Sequence, residues 1–204
     1  MGVYELSGAG SVKTGRTLYT SMNAGNQFGA MVPIASATIT STGTFEFSDI
    51  PQTYQDLRVV TFVRSTNANA TGDAFVMYLK HGSGFQYANY SSTNLSGNGS
   101  AVSSNRESST SGIRIPNFIP TTTQTAGVFA AITIDLLNYR SATFKTVLLR
   151  GAADTNGAGQ TTLTAGLSQN TGAVTGLLMG TGLGVNHFAA GSTIALYGIR
   201  AVSS

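Results

Sequence analysis

The chain has 204 residues, of which only 9% are charged, and it contains 25 glycines but no cysteine and no tryptophan. An ordinary soluble domain is about a quarter Asp, Glu, Lys and Arg, so this chain keeps its backbone satisfied and stays soluble by other means, burial in an assembly among them. The missing cysteines exclude a disulfide framework, a thiolate metal site and a cysteine nucleophile. The 11 basic side chains, set against 8 acidic ones, are scattered with no two adjacent, which excludes the basic stripe that tracks a phosphate backbone.

Residues 1–33 carry glycines among Ser, Thr and Asn, with isolated apolar anchors at Tyr4, Leu6, Leu18, Tyr19 and Phe28. Neither the helical nor the strand period persists there. The segment is expected to be an extended arm that orders by laying its anchors on a partner; an unanchored terminus is the alternative. With Glu5 and no apolar run, no secretory signal is expected, and Leu6 stands where myristoylation wants Ser or Thr. No stretch approaches 18 uninterrupted apolar residues, so no spanning helix is expected.

From residue 34 to 204 a single β domain is expected. Ile34 to Thr40 alternates, and Ser41-Thr42-Gly43 turns the chain into Thr44 to Ser48. After the break at Asp49-Ile50-Pro51, Leu57, Val59, Thr61 and Val63 share one face of a strand, while Arg58, Val60, Phe62 and Arg64 share the other. Residues 66–72 form a loop, and Phe75, Met77 and Leu79 alternate in the next strand. Residues 81–112, dense in Ser, Asn and Gly, predict a long loop or a pair of weak strands around Phe85-Gln86-Tyr87. Order returns at Ile113-Arg114-Ile115. Val128 to Tyr139 and Phe144 to Arg150 then predict a hairpin. Further strands follow at Thr161–Leu167, Ala173–Met179 and Ser192–Val202. Roughly nine or ten short strands with glycine turns and no amphipathic helix indicate an all-β antiparallel sandwich or barrel. Strand faces that are apolar on both sides suit a core on one side and a neighbouring subunit on the other.

Chemistry is sparse. His81 and His187 are far apart, and no Gly-x-Ser-x-Gly elbow accompanies them. Glu46 and Asp135 are the one carboxylate pair that glycoside cleavage could use, although two strand carboxylates on a solvated face explain them equally. Asp154-Thr155-Asn156-Gly157 begins like a calcium loop but lacks the distant acid, since position 165 is Ala, and is better explained as a turn bonding its own backbone. The glycines near Lys13 and those at 180–184 lack phosphate-loop and dinucleotide spacing. Four Asn-x-Ser/Thr sequons, at Asn69, Asn89, Asn94 and Asn98, are expected from composition. One cluster could bind a ligand: Phe85, Tyr87 and Tyr90 offer rings for a sugar or protein surface, or belong to the core of a strand.

The run Phe45-Glu46-Phe47-Ser48-Asp49-Ile50-Pro51-Gln52-Thr53-Tyr54-Gln55-Asp56-Leu57-Arg58-Val59-Val60 resembles a pattern of tailed-bacteriophage virion proteins, in which an Ile-Pro-x-x-Tyr-x-x-Leu unit between strands precedes an Arg-Ser/Asn/Thr-rich loop, here Arg64-Ser65-Thr66-Asn67. The ending Gly191-Ser192-Thr193-Ile194-Ala195-Leu196-Tyr197-Gly198-Ile199 resembles the close of the same proteins, and Gly8 to Thr14 is similar to the starts of cyanophage structural proteins. Residues 81–180 match in spacing and composition alone. The resemblance implies a jelly-roll-like β-sandwich in a tail-fibre, spike or head-decoration role, located in the virion. The expected protein is not an enzyme and needs no cofactor. It is a homotrimer attached through residues 1–33 to other virion proteins, without nucleic acid or membrane insertion. Two rival expectations are a carbohydrate-binding module, with a host-surface glycan on Phe85, Tyr87 and Tyr90, and a depolymerase resting on Glu46 and Asp135.

Overall fold

A computed structural model describes residues 31–69, 71–182 and 188–201. The arm anchors Tyr4, Leu6, Leu18, Tyr19 and Phe28, together with His187, lie outside the described residues. Among the described residues every regular element is a strand: β1 (Met31–Thr38), β2 (Thr42–Gly43), β3 (Phe45–Phe47), β4 (Asp56–Val63), β5 (Asp73–His81), β6 (Gly84–Phe85), β7 (Tyr90–Gly97), β8 (Val102–Thr110), β9 (Ile113–Ile119), β10 (Ala130–Leu136), β11 (Lys145–Asp154), β12 (Gly159–Ser168), β13 (Val174–Thr181), β14 (Phe188–Ala189) and β15 (Thr193–Ile199). The expected all-β fold is present. β1 begins at Met31, so Met31, Val32 and Pro33 of the expected arm belong to the first strand, paired with Ile199, Gly198 and Tyr197.

An eight-stranded sheet runs in the order β1-β15-β4-β10-β11-β12-β7-β8, and a smaller one in the order β3-β13-β5-β6, with β9 also paired to β5. All of these pairings are antiparallel. One subset explains the rest. The strands β1, β15, β4 and β10, stacked on β3, β13, β5 and β9, have the two-sheet order of a jelly roll, in which successive strands cross between the layers except β5 and β9, which pair within one. Two hairpins are inserted into that frame, β7–β8 between β5 and β9, and β11–β12 between β10 and β13. Both add to the same edge of one layer and double its width.

Alternation builds the core. Leu57, Val59 and Val63 on β4, Ile132, Ile134 and Leu136 on β10, and Ile194 and Leu196 on β15 point inward from the large sheet. They meet Phe75, Met77 and Leu79 of β5, Leu177 and Met179 of β13, and Phe45 and Phe47 of β3. β9 crosses under the inserted half, where glycine makes room. A Cβ on Gly166 would lie 2.5 Å from Ile113 Cγ2, and one on Gly151 would lie 2.5 Å from Phe118 Cζ. Along β7 the inner face turns polar: Ser92 and Asn94 are buried and Ser96, farther out, is half-buried.

Two expectations are corrected. The stretch 81–112 is neither mainly loop nor two weak strands around Phe85-Gln86-Tyr87, because β7 and β8 pair along nearly their whole length, Ser91 with Ser108 through Gly97 with Val102. Arg64 does not continue the outward row of β4. The strand ends at Val63, and the Arg64 guanidinium, 9% exposed, lies beneath the segment 121–128. It donates to the carbonyls of Thr125 (2.8 Å), Val128 (2.6 Å), Thr121 (2.5 Å) and Gln124 (2.9 Å). These bonds tie a segment without regular structure to the end of a core strand.

The Asp154 region is a turn, as its residues suggest. Asn156 N–H donates to Asp154 Oδ1 at 2.8 Å, Thr155 N–H donates to Ala158 O at 2.6 Å, and Asn156 and Gly157 have φ of 59° and 114°.

Candidate functional site

The side of the large sheet that faces away from the core carries a candidate interaction surface. Its register fixes which outward side chains are neighbours. One row runs Ser36, Ala195, Val60, Thr133, Arg150, Leu163, Leu95, Ser104 across the eight strands. The next contains Thr38, Thr193, Phe62, Ala131, Ala152, Thr161, Gly97 and Val102. Val60, Phe62, Leu95, Leu148, Leu163 and Val102 on this face are all exposed, Val102 by 78%. The Phe62 ring stacks on Phe129 with centroids 4.7 Å apart.

The face is not uniform. On the inserted half the leucines of β11, β12 and β7 and Val102 of β8 stand up as a ridge. On the jelly-roll half, Ser36, Thr38, Thr193, Ala195 and Ala131 are small, and with Val60, Phe62 and Tyr197 they line a shallow trough of about 360 Å³.

Charge enters the middle of the face as one closed group. Asp135 accepts from Arg58 Nε at 2.6 Å and from Arg150 Nη2 at 2.7 Å. The Arg58–Asp135 pair is directly cross-strand on β4 and β10, and Arg150 reaches in diagonally from β11. The Asp135 hydrogen bond holds the Arg58 pKa above its ordinary value. Both carboxylate oxygens are occupied by guanidinium donors, which leaves neither free to attack a substrate. Glu46 is exposed on β3 in the other sheet, with Ser48 Oγ bonded to its carboxylate at 2.9 Å. The two acids do not share a face, and the pair expected from the sequence is not assembled.

The aromatic candidates separate. Tyr90 is fully buried: its hydroxyl accepts from Leu79 N–H at 2.8 Å and donates to Gln86 O at 3.2 Å, and burial pushes its pKa up. It is a core residue and cannot meet a surface ligand. Tyr87, 58% exposed, and half-buried Phe85 do lie together, with centroids 6.4 Å apart. Tyr78, which the sequence did not single out, meets Tyr87 edge-on at 5.1 Å, and Lys80 Nζ lies 5.6 Å from the Phe85 centroid. The local reason is the turn at 86–89: Asn89 adopts a φ of 62°, and the chain re-enters as β7 with Tyr90 pointing inward.

A second hollow, of about 350 Å³, opens on the inner face of β7–β8. Asn105, Ser103, Ser96, Gln160 and Asn117 line it, with no charged side chain in its wall. Nothing in a Ser- and Asn-rich run marks such a hollow until the hairpin register is known.

His81 has Nδ1 2.9 Å from Gly172 O, and burial lowers its pKa. Lys145 is fully buried, its ammonium donating to Ser141 O at 2.7 Å and Thr143 O at 2.5 Å, and burial lowers its pKa also. Both groups brace turns.

No protein-family model, no curated protein and no solved structure matches the chain.

Proposed function

We propose that the chain is a non-enzymatic structural subunit of a tailed-phage virion, a fibre, spike or head-decoration part that self-associates as a homotrimer and attaches through residues 1–30. The carrying observation is the broad outward face of the large sheet, which exposes Val60, Phe62, Leu148, Leu163, Leu95 and Val102, on a chain with 9% charged residues. Monomeric proteins rarely expose a contiguous apolar patch beyond a few hundred Å², and buried charges are costly in subunit contacts unless paired. The jelly-roll order and the sequence resemblance support the same reading. Its test is to search purified particles for the chain by mass spectrometry and to delete residues 1–30, which leaves β1 whole. The shortened chain should fold and fail to enter particles; normal entry rejects the arm, and absence of the native chain from particles rejects the virion role.

A second reading, binding of a neutral sugar, is favoured by the uncharged hollow beside Asn105 and Gln160 and by the Tyr78–Phe85–Tyr87 rings. A glycan array should give a signal that Gln160→Ala or Tyr87→Ala weakens. No signal, or unchanged binding in both variants, removes this reading.

A further inference from the structure

We propose that the occupant of the large sheet's outer face is a second copy of this chain, seated with the ridge of one copy in the trough of the other. The inference deepens the assembly-subunit reading and rests on it for biological meaning, although its physical basis is separate. Three observations select this occupant over an unrelated partner.

Area comes first. Eight strands spaced by about 4.8 Å and about eight residues long at about 3.3 Å each make a face of about 34 by 26 Å, or about 900 Å². A stable protein–protein interface takes about 800 Å² from each partner, so one copy of this face is large enough to hold another.

Shape is the second. The sheet divides evenly, with β1, β15, β4 and β10 on one side of its midline and β11, β12, β7 and β8 on the other. The first half is the trough over Ala195, Ser36 and Thr193; the second is the ridge of Leu148, Leu163, Leu95 and Val102. A rotation axis parallel to the strands at the midline sets each half against the other half of the next copy. In a face-to-face pair Leu163 then lies over Val60, Leu95 over Ala195 and Val102 over Thr38. Three copies around such an axis likewise bring ridge to trough. At the Leu95–Ala195 and Val102–Thr38 positions a large side chain meets a small one, and at Leu163–Val60 two apolar ones meet, as close packing of two sheets requires.

Charge is the third. In the middle of the face Arg58, Asp135 and Arg150 are bonded to one another. Arg106 stands on the edge strand β8, and Asp56 and Asp154 lie at strand ends, each accepting a main-chain N–H, from Asn138 at 2.7 Å and Asn156 at 2.8 Å. The one excess guanidinium per trio repels its counterpart weakly, and salt screens that repulsion. Association through this face should therefore hold or strengthen as salt rises.

The experiment is the native mass of the full-length chain by light scattering across concentration and salt. A dimer or trimer is expected. Leu163→Glu on the ridge and Ala195→Glu in the trough should each shift it to monomer with an unchanged circular-dichroism spectrum, while Tyr87→Glu, in the turn packed on Tyr78 of the other sheet, leaves the mass unaltered. As a measurement that does not depend on a disruptive variant, Val60→Cys chains mixed with Leu163→Cys chains should be joined by a short bis-maleimide far more efficiently than either alone; the chain has no native cysteine to interfere. A monomeric full-length chain, an oligomer untouched by both glutamate variants, absence of the mixed cross-link, or dissociation by moderate salt would overturn the inference. An oligomer that is missing from virions sinks the virion reading alone, and a monomer found in virions sinks this inference alone.

Discussion

Replacing Arg64 with Met tests whether one cation holds the segment 121–128 to the sandwich. The guanidinium donates to four main-chain carbonyls, those of Thr121, Gln124, Thr125 and Val128, at 2.5–2.9 Å. Hydrogen bonds to charged groups contribute about 1.5–3 kcal/mol each, so four at the lower value amount to about 6 kcal/mol. Thr121 is buried, whereas Gln124, Thr125 and Val128 are not, and their carbonyls regain water when the side chain is removed. That recovery offsets about half, leaving a loss of about 3 kcal/mol. For a chain of this size it corresponds to a fall in Tm of about 6–12 °C. Lys at this position keeps the charge, but its donors radiate from one nitrogen and cannot span the four carbonyls, so Arg64→Lys should lie midway. Urea denaturation should show a lower midpoint at unchanged slope, and hydrogen exchange should accelerate at residues 121–128 more than in β10. An Arg64→Met midpoint within about 0.5 kcal/mol of the native one, the range of an ordinary surface change, would refute the reasoning.

Three further outcomes follow from the packing. Gly166→Ala places a methyl group 2.5 Å from Ile113 and should cost about 1–3 kcal/mol in chemical denaturation, while Gly84→Ala, with nothing within 4 Å, should cost far less; equal effects would show that β9 yields freely. Tyr90→Phe leaves the buried Leu79 amide without its acceptor and should destabilise by about 1–3 kcal/mol, so a neutral result would mean that water replaces the hydroxyl. Burial lowers the His81 pKa from its ordinary 6.5, with nearby Lys145 acting in the same direction and the Gly172 and Ala173 backbone opposing. The unfolded chain therefore takes up a proton that the fold refuses: no stability is lost above pH 6.5, and stability declines as pH falls from there towards the lowered folded value. His81→Gln should flatten that acid limb in a pH series of denaturation midpoints, and an unchanged slope would assign it to other groups.

The strands that form the two-layer core were legible because burial on one face imposes alternation. Leu57, Val59 and Val63, Phe75, Met77 and Leu79, and Ile132, Ile134 and Leu136 all occur at every second position. The hairpin β7–β8 was illegible because its inner face is polar as well: Ser92 and Asn94 are buried, Ser96 is half-buried and Ser103 and Asn105 are exposed, and a strand with polar residues on both faces has no hydrophobic period. Missing that hairpin concealed the ridge, because Leu95 and Val102 stand as isolated apolar residues until register aligns them with Leu163 and Phe62. Phe85, Tyr87 and Tyr90 were grouped by proximity in sequence, and the left-handed Asn89 between Tyr87 and Tyr90 sends the last of them to the opposite side. Arg64 appeared to extend an alternating row because the sequence carries no mark of where β4 stops.

The position of β15 between β1 and β4 has a consequence for how the molecule is made. As the chain emerges from the ribosome, β10, β11 and β12 can zip together in sequence order, whereas β1 waits for a partner more than 150 residues behind it. Closure of the jelly roll is thus a late event, governed by long-range pairing that is intrinsically slow. Until Thr193–Ile199 arrives, both β1 and the flank of β4 stay open as bare edges in a nascent chain. The sequence of β1, with Pro33 within it and Ser36 and Thr38 towards its end, is poorly suited to pairing with the wrong neighbour during that wait.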